Sequence, residues 1–174
     1  MKCKIFFLSF FVFTSCEQCR EDKDDDLCSS REVLNSDIIR KLGYFYDEYG
    51  NGAYREIYFF YNNGVIMTPG VIESQYFEDL TPFWNANNFF NSYQNNKLNW
   101  GIYSIQDSMI RIERWYPSEV YFPVFRSTGR ILNDSTFVIN HISRCDGSEA
   151  SSRNEIWHFK QFSPKPDSTN SFTN

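Results

Sequence analysis

From Gly43 onward the chain alternates short apolar runs with polar breaks, and the breaks carry turn chemistry. Runs at 44–49 and 54–61 flank Gly50-Asn51-Gly52. Asn63-Gly64 follows, and both residues accept the positive φ of a two-residue type I′ hairpin. The return strand is expected over 65–72, with Pro69-Gly70 marking a bulge or an edge. A second hairpin joins 98–106 to 109–116 through Asp107-Ser108. Alternation is clean there, with Ile110 and Ile112 on one face and Arg111 and Glu113 on the other. Strands at 120–132, kinked at Pro123 and Gly129, at 135–144 after Asn133-Asp134, and at 154–162 follow.

The remaining stretches read differently. Val33, Leu34, Ile38, Ile39 and Leu42 have spacings that suit one short N-terminal helix over 33–42, although Ser36-Asp37 could equally break it. Residues 73–97, rich in Asn and containing Pro82, predict a long excursion with a short helix near 86–93. The tail from Ser163 is Pro, Ser, Thr and Asn and is expected to fray. About eight hairpin-linked strands without a βαβ pattern predict an all-β fold. An antiparallel up-and-down barrel is favoured over a sandwich, because closure removes exposed edges. The aromatic share of 19%, with 18 Phe and 11 Tyr, agrees, since strands favour such residues.

The first sixteen residues are of another kind. Lys2 and Lys4 precede an apolar stretch to Phe13, then Thr14, Ser15 and Cys16. Charge, a short apolar core and a small-residue site make a secretory signal over 1–15, too short to span a bilayer, which takes roughly 20 residues. Phe13-Thr14-Ser15-Cys16 resembles the lipobox of bacterial lipoproteins, which implies cleavage before Cys16 and acylation of that cysteine. Several acyl chains at one point anchor stably where one is marginal. The acidic run 17–26 is expected to stay solvated as part of a tether over 16–32. It is similar to the stretch that directs Bacteroidetes lipoproteins to the cell surface. The resemblance implies an outer-membrane address, with surface and periplasmic faces both open.

A further resemblance covers roughly residues 42–170. Asn99-Trp100-Gly101-Ile102-Tyr103-Ser104-Ile105, the hairpin Asp107-Ser108-Met109-Ile110-Arg111-Ile112-Glu113, and Gly129 to Phe137 look like small lipocalin-like lipoproteins of the Bacteroidetes type. So does Phe162-Ser163-Pro164-Lys165-Pro166-Asp167-Ser168-Thr169-Asn170. Gly43-Tyr44-Phe45 stands where lipocalins carry Gly-x-Trp. The resemblance implies a lipocalin-like barrel over 33–162 and an envelope address, and it names no ligand.

Candidate chemistry is sparse. Signal removal takes Lys2 and Lys4, deepening the net charge of −5 by two units. That balance argues against nucleic acid, whose binding rests on neutralising phosphates. Cys19, Cys28 and Cys145 remain after lipidation, and outside the cytoplasm a disulfide is the default. Cys28–Cys145 is the favoured pair and Cys19–Cys28 the rival. Among those three cysteines no close Cys-x-x-Cys pair suggests a metal, and His141 and His158 read as ordinary sheet positions. No nucleophile elbow or phosphate loop is present, so neither an enzyme nor a cofactor is expected.

The aromatic residues permit two readings. One is plain core. The other is an aromatic cavity for a small apolar or glycan ligand, with Trp100, Trp115 and Trp157 in its lining and Tyr61, Tyr103 and Arg111 as polar tips at its mouth. Asp107-Ser108-Met109 also resembles a Bacteroidetes O-glycosylation motif, which would modify Ser108, though it is a good turn sequence without any sugar. Two functions therefore stay open: a monomeric, lipid-anchored ligand binder, or a ligand-free interaction or structural module.

Overall fold

A computed structural model describes residues 23–34, 37–49, 52–82 and 92–173. Cys16, Cys19, the signal and most of the helix expected at 86–93 lie outside them. Among the described residues nine strands form one antiparallel sheet: β1 (Gly43–Tyr49), β2 (Tyr54–Phe60), β3 (Val65–Met67), β4 (Val71–Glu73), β5 (Trp100–Gln106), β6 (Met109–Trp115), β7 (Val124–Asn133), β8 (Thr136–Arg144) and β9 (Ser151–Gln161). Consecutive strands pair around a ring, and β1 closes it by pairing with both β2 and β9. β3 and β4 are one return strand interrupted at Pro69-Gly70, both pairing with β2. The result is an eight-stranded, lipocalin-like up-and-down barrel, as the strand pattern predicts. The kink at Gly129 is a register shift between β7 and β8.

Side chains sort by strand alternation into two apolar groups. Inside lie Phe45, Tyr58, Phe60, Ile66, Tyr103, Ile110, Ile112, Phe137, Ile139 and Trp157. Outside, over β2, β3 and β5, lie Tyr44, Ile57, Phe59, Tyr61, Val65, Met67 and Trp100, packed with Leu80 and Tyr93 from the excursion and with Phe162 and Phe172 from the tail. Burial on both faces explains why Tyr58-Phe59-Phe60-Tyr61 shows no alternation: a second layer covers that part of the wall.

Three expectations are corrected. The tail does not fray. Tyr61 donates to the Pro166 carbonyl at 2.7 Å, Tyr93 to the Asp167 carbonyl at 3.0 Å, and Lys165 Nζ to the carbonyls of Lys41 and Phe60. The outward rings of β2 and β3 need a cover, and the tail supplies part of it. The described end of the acidic run is docked as well, because Asp24 and Asp25 find cations in Lys97 and Arg144. Finally, the described residues of 33–42 carry no helix. Leu34 and Ile39 instead turn into the interior cluster and close one end of the barrel.

Candidate functional site at the open end of the barrel

The two ends of the barrel differ. One carries the Asn63-Gly64, Asp107-Ser108 and Asn133-Asp134 turns and is closed by 34–42, with Arg40 paired to Asp134 at 2.8 Å. The other carries the loops 116–123 and 145–150 and the start of β5.

Between the ends the centre is filled by rings. Trp157 stacks on Tyr58 with centroids 4.3 Å apart and planes at 8°, and on Phe137 at 5.7 Å and 5°. Phe45 meets Phe60, Phe137 and Phe159 at 5.1 to 5.5 Å. Tyr103 packs edge-on against Phe60 and donates to the Tyr61 carbonyl at 2.9 Å. This is the packing of a core.

The six residues proposed from sequence to line a cavity do not converge. Tyr61 and Trp100 belong to the outer layer, the latter donating from its indole to the Tyr93 carbonyl. Tyr103 and Trp157 are inside. Trp115 lies under residues 23–29, its indole donating to the Asp25 carbonyl at 2.8 Å. Arg111 is exposed on the outer wall beside Ser104 and Met109. The reason is strand phase: residues of one strand share a face only at even spacing.

The same rule finds the polar cluster that the sequence reading missed. Glu56 is in phase with Tyr58 and Phe60, Arg114 with Ile110 and Ile112, and Glu155 with Trp157 and Phe159. A charge in the apolar phase of a strand is the signal. All three stand on the inner wall towards the open end. Arg114 Nη2 donates to Glu56 Oε1, and the guanidinium lies 5.3 Å from the Tyr58 ring and 4.2 Å from the Tyr116 ring. It lies opposite Gly101 on β5, where a Cβ would come within 2.8 Å of the Arg114 Cβ.

Burial works against the Arg114 charge, but Tyr58, Glu56 and Tyr116 outweigh it and its pKa is raised. Burial also pushes the Tyr58 hydroxyl well up. Glu155 is raised by burial, against the opposing pull of Arg153 and with a further push from Glu56. Two buried donors here, Arg114 Nε and Trp157 Nε1, have no hydrogen-bond partner among the described residues. Buried polar groups are seldom left so. The arrangement offers N–H donors and carboxylates in an aromatic setting, which is chemistry for holding a hydroxyl-rich or acceptor-bearing molecule.

Other features are structural. Cys28 and Cys145 are bonded, with Cα atoms 5.6 Å apart, as the favoured pairing had it. Glu113, 2% exposed, is satisfied by Ser29 and Arg126. A hollow of about 440 Å³ lies at the closed end between Ile39, Arg40, Leu42, Asn62 and Phe159, and there Arg40 is already paired to Asp134. His141 lies opposite Ser152, and His158 opposite Thr136 and Tyr46. Among the described residues no three His, Cys, Asp or Glu gather where they could hold a metal. Ser108 sits half-buried in its turn, its carbonyl accepting from Ile131. No family model, curated protein or solved structure matches the chain.

Proposed function

We propose that this protein is a lipid-anchored envelope protein of the outer membrane, of the Bacteroidetes lipocalin-like type. In this reading the barrel is a non-catalytic interaction or structural module, held at the membrane by acylated Cys16. The observation that carries it is the set of rings packed inside the barrel, the stack Tyr58–Trp157–Phe137 together with Phe45, Phe60 and Tyr103. A carrier of apolar molecules keeps its centre free for them, as ligand pockets of some 300–1,000 Å³ do. Here that space is given to the protein's own rings. Metabolic labelling with radioactive palmitate tests the anchor: label enters the wild type and not Cys16→Ala. Unlabelled, uncleaved wild type would refute it. Mass spectrometry of the purified barrel tests the module, which should release no stoichiometric lipid.

A second reading rests on the unpartnered donors of Arg114 and Trp157: a small glycan-like ligand held at the open end by Glu56, Arg114 and Glu155. It predicts that a soluble glycan pool shifts the Trp157 indole resonance in the wild type and leaves it unmoved in Arg114→Gln.

A further inference from the structure

Residues 23–34 form a strap with a definite course. Asp24 accepts from the Phe122 amide at 2.9 Å and pairs with Lys97 at 3.0 Å. Asp25 accepts from the Val124 amide, pairs with Arg144 at 2.6 Å, and offers its carbonyl to the Trp115 indole. Every one of these partners stands at the open-end rim or at a strand end beside it. The strap is then fastened by Cys28–Cys145 to the β8–β9 loop of the same rim. It descends the outer wall past Glu113, passes Gly64 at the far end, and bonds there through Leu34 to the Asn62 carbonyl.

The chain therefore reaches the barrel at the open end. Seven backbone steps join Cys16 to Lys23, a reach of about 25 Å at most when fully extended. The ten residues of β7 run about 33 Å along the strand, or about 25 Å along the axis at the usual tilt. A tether hooked at the rim would have to be drawn taut along the whole wall before the closed end could touch the membrane. With the rim down, only a fraction of that reach is needed.

Val120 at the tip of loop 116–123 is 63% exposed, but Leu42 and Leu132 at the closed end are 81% and 57% exposed, so it is the course of the strap and not exposed apolar area that separates the two ends. Glu119, Asp146 and Glu149 on the same rim oppose deep entry among anionic headgroups.

We infer that the open-end rim, loops 116–123 and 145–150, is the surface that faces the membrane carrying the anchor, at the level of the lipid headgroups. The closed end then points away from the bilayer. This rests on the acylation of Cys16 proposed above.

The test uses the full acylated protein in phosphatidylethanolamine–phosphatidylglycerol vesicles containing a headgroup nitroxide lipid. With Cys19 replaced by Ser, a fluorophore is placed on Glu119→Cys or, at the other end, on Leu132→Cys. The Glu119 label should be quenched several-fold more than the Leu132 label. Releasing the strap with Cys28→Ser and Cys145→Ser should narrow that difference. Equal quenching, or stronger quenching at Leu132, overturns the inference while leaving the anchor intact. Failure of the protein to float with the vesicles defeats the anchor, and this inference with it.

Discussion

Trp157 is sandwiched face to face between Tyr58 and Phe137, its indole within 4.3 Å of one ring centroid and 5.7 Å of the other. Three strands, β2, β8 and β9, contribute one ring each; β8 and β9 are paired and only β1 lies between β9 and β2, so the stack ties together one side of the wall. Removing the middle ring leaves a void that stiff strands cannot collapse around. Trp157→Ala should lose about 3–5 kcal/mol in chemical denaturation. A loss below about 1 kcal/mol would mean that the stack is not part of the core.

The strap should stabilise what it crosses. Its disulfide links residues 117 apart in sequence, and closing a long loop restricts the unfolded chain. Replacing Cys28 and Cys145 by Ser should cost about 2–5 kcal/mol. Hydrogen exchange should then rise along residues 24–34 before it rises in β6 or β7. Uniform acceleration across the barrel would contradict a strap that detaches first.

Gly64 tests where the strap passes. Its φ is +79°, and a Cβ would stand 2.1 Å from the Glu32 carbonyl oxygen. Gly64→Ala therefore meets both backbone strain and a blocked path. A clear fall in melting temperature is expected, with increased exchange around Glu32. Unchanged exchange there would show that the strap runs elsewhere.

Glu155 gives a pH signature. Burial raises its pKa in the folded state, so folding favours the protonated form. That contribution is full below the ordinary glutamate range and is lost as pH rises through the raised value. Glu155→Gln should raise the melting temperature at pH 7, and the gain should fade on acidification. A gain independent of pH would refute the assignment.

Lys165 has the complementary sign. Burial, helped by Lys41, lowers its amine to about 8, whereas the unfolded chain keeps the proton to about 10.4. Between those values the unfolded state binds more protons, so stability rises with pH. Wild type should gain melting temperature relative to Lys165→Met from pH 8 to 10. A flat difference would contradict it.

The barrel was legible because its hairpins are marked locally. Asn63-Gly64 and Asp107-Ser108 both fall at hairpin turns, although Gly64 alone, and not Asn63, takes the positive φ that a type I′ turn needs at both positions, and Pro69-Gly70 breaks the strand it was expected to break. Cys28–Cys145 could be weighed from compartment and position alone. What was hidden is long-range. Nothing near Lys165 announces that it will be roofed under Lys41 and Phe60. Nothing near Asp25 announces Arg144. The site was misjudged because aromatic residues were gathered by type; Tyr61 and Trp100 look outward, Tyr103 and Trp157 inward. Phase within each strand, applied to Glu56, Arg114 and Glu155, was the better guide.

The most direct test of a centre filled by its own side chains is a titration with cis-parinaric acid. The barrel, secreted with a plain signal in place of residues 1–16, should show no saturable rise in probe fluorescence, while Trp157→Ala should acquire one. Stoichiometric binding by the wild type would contradict the account.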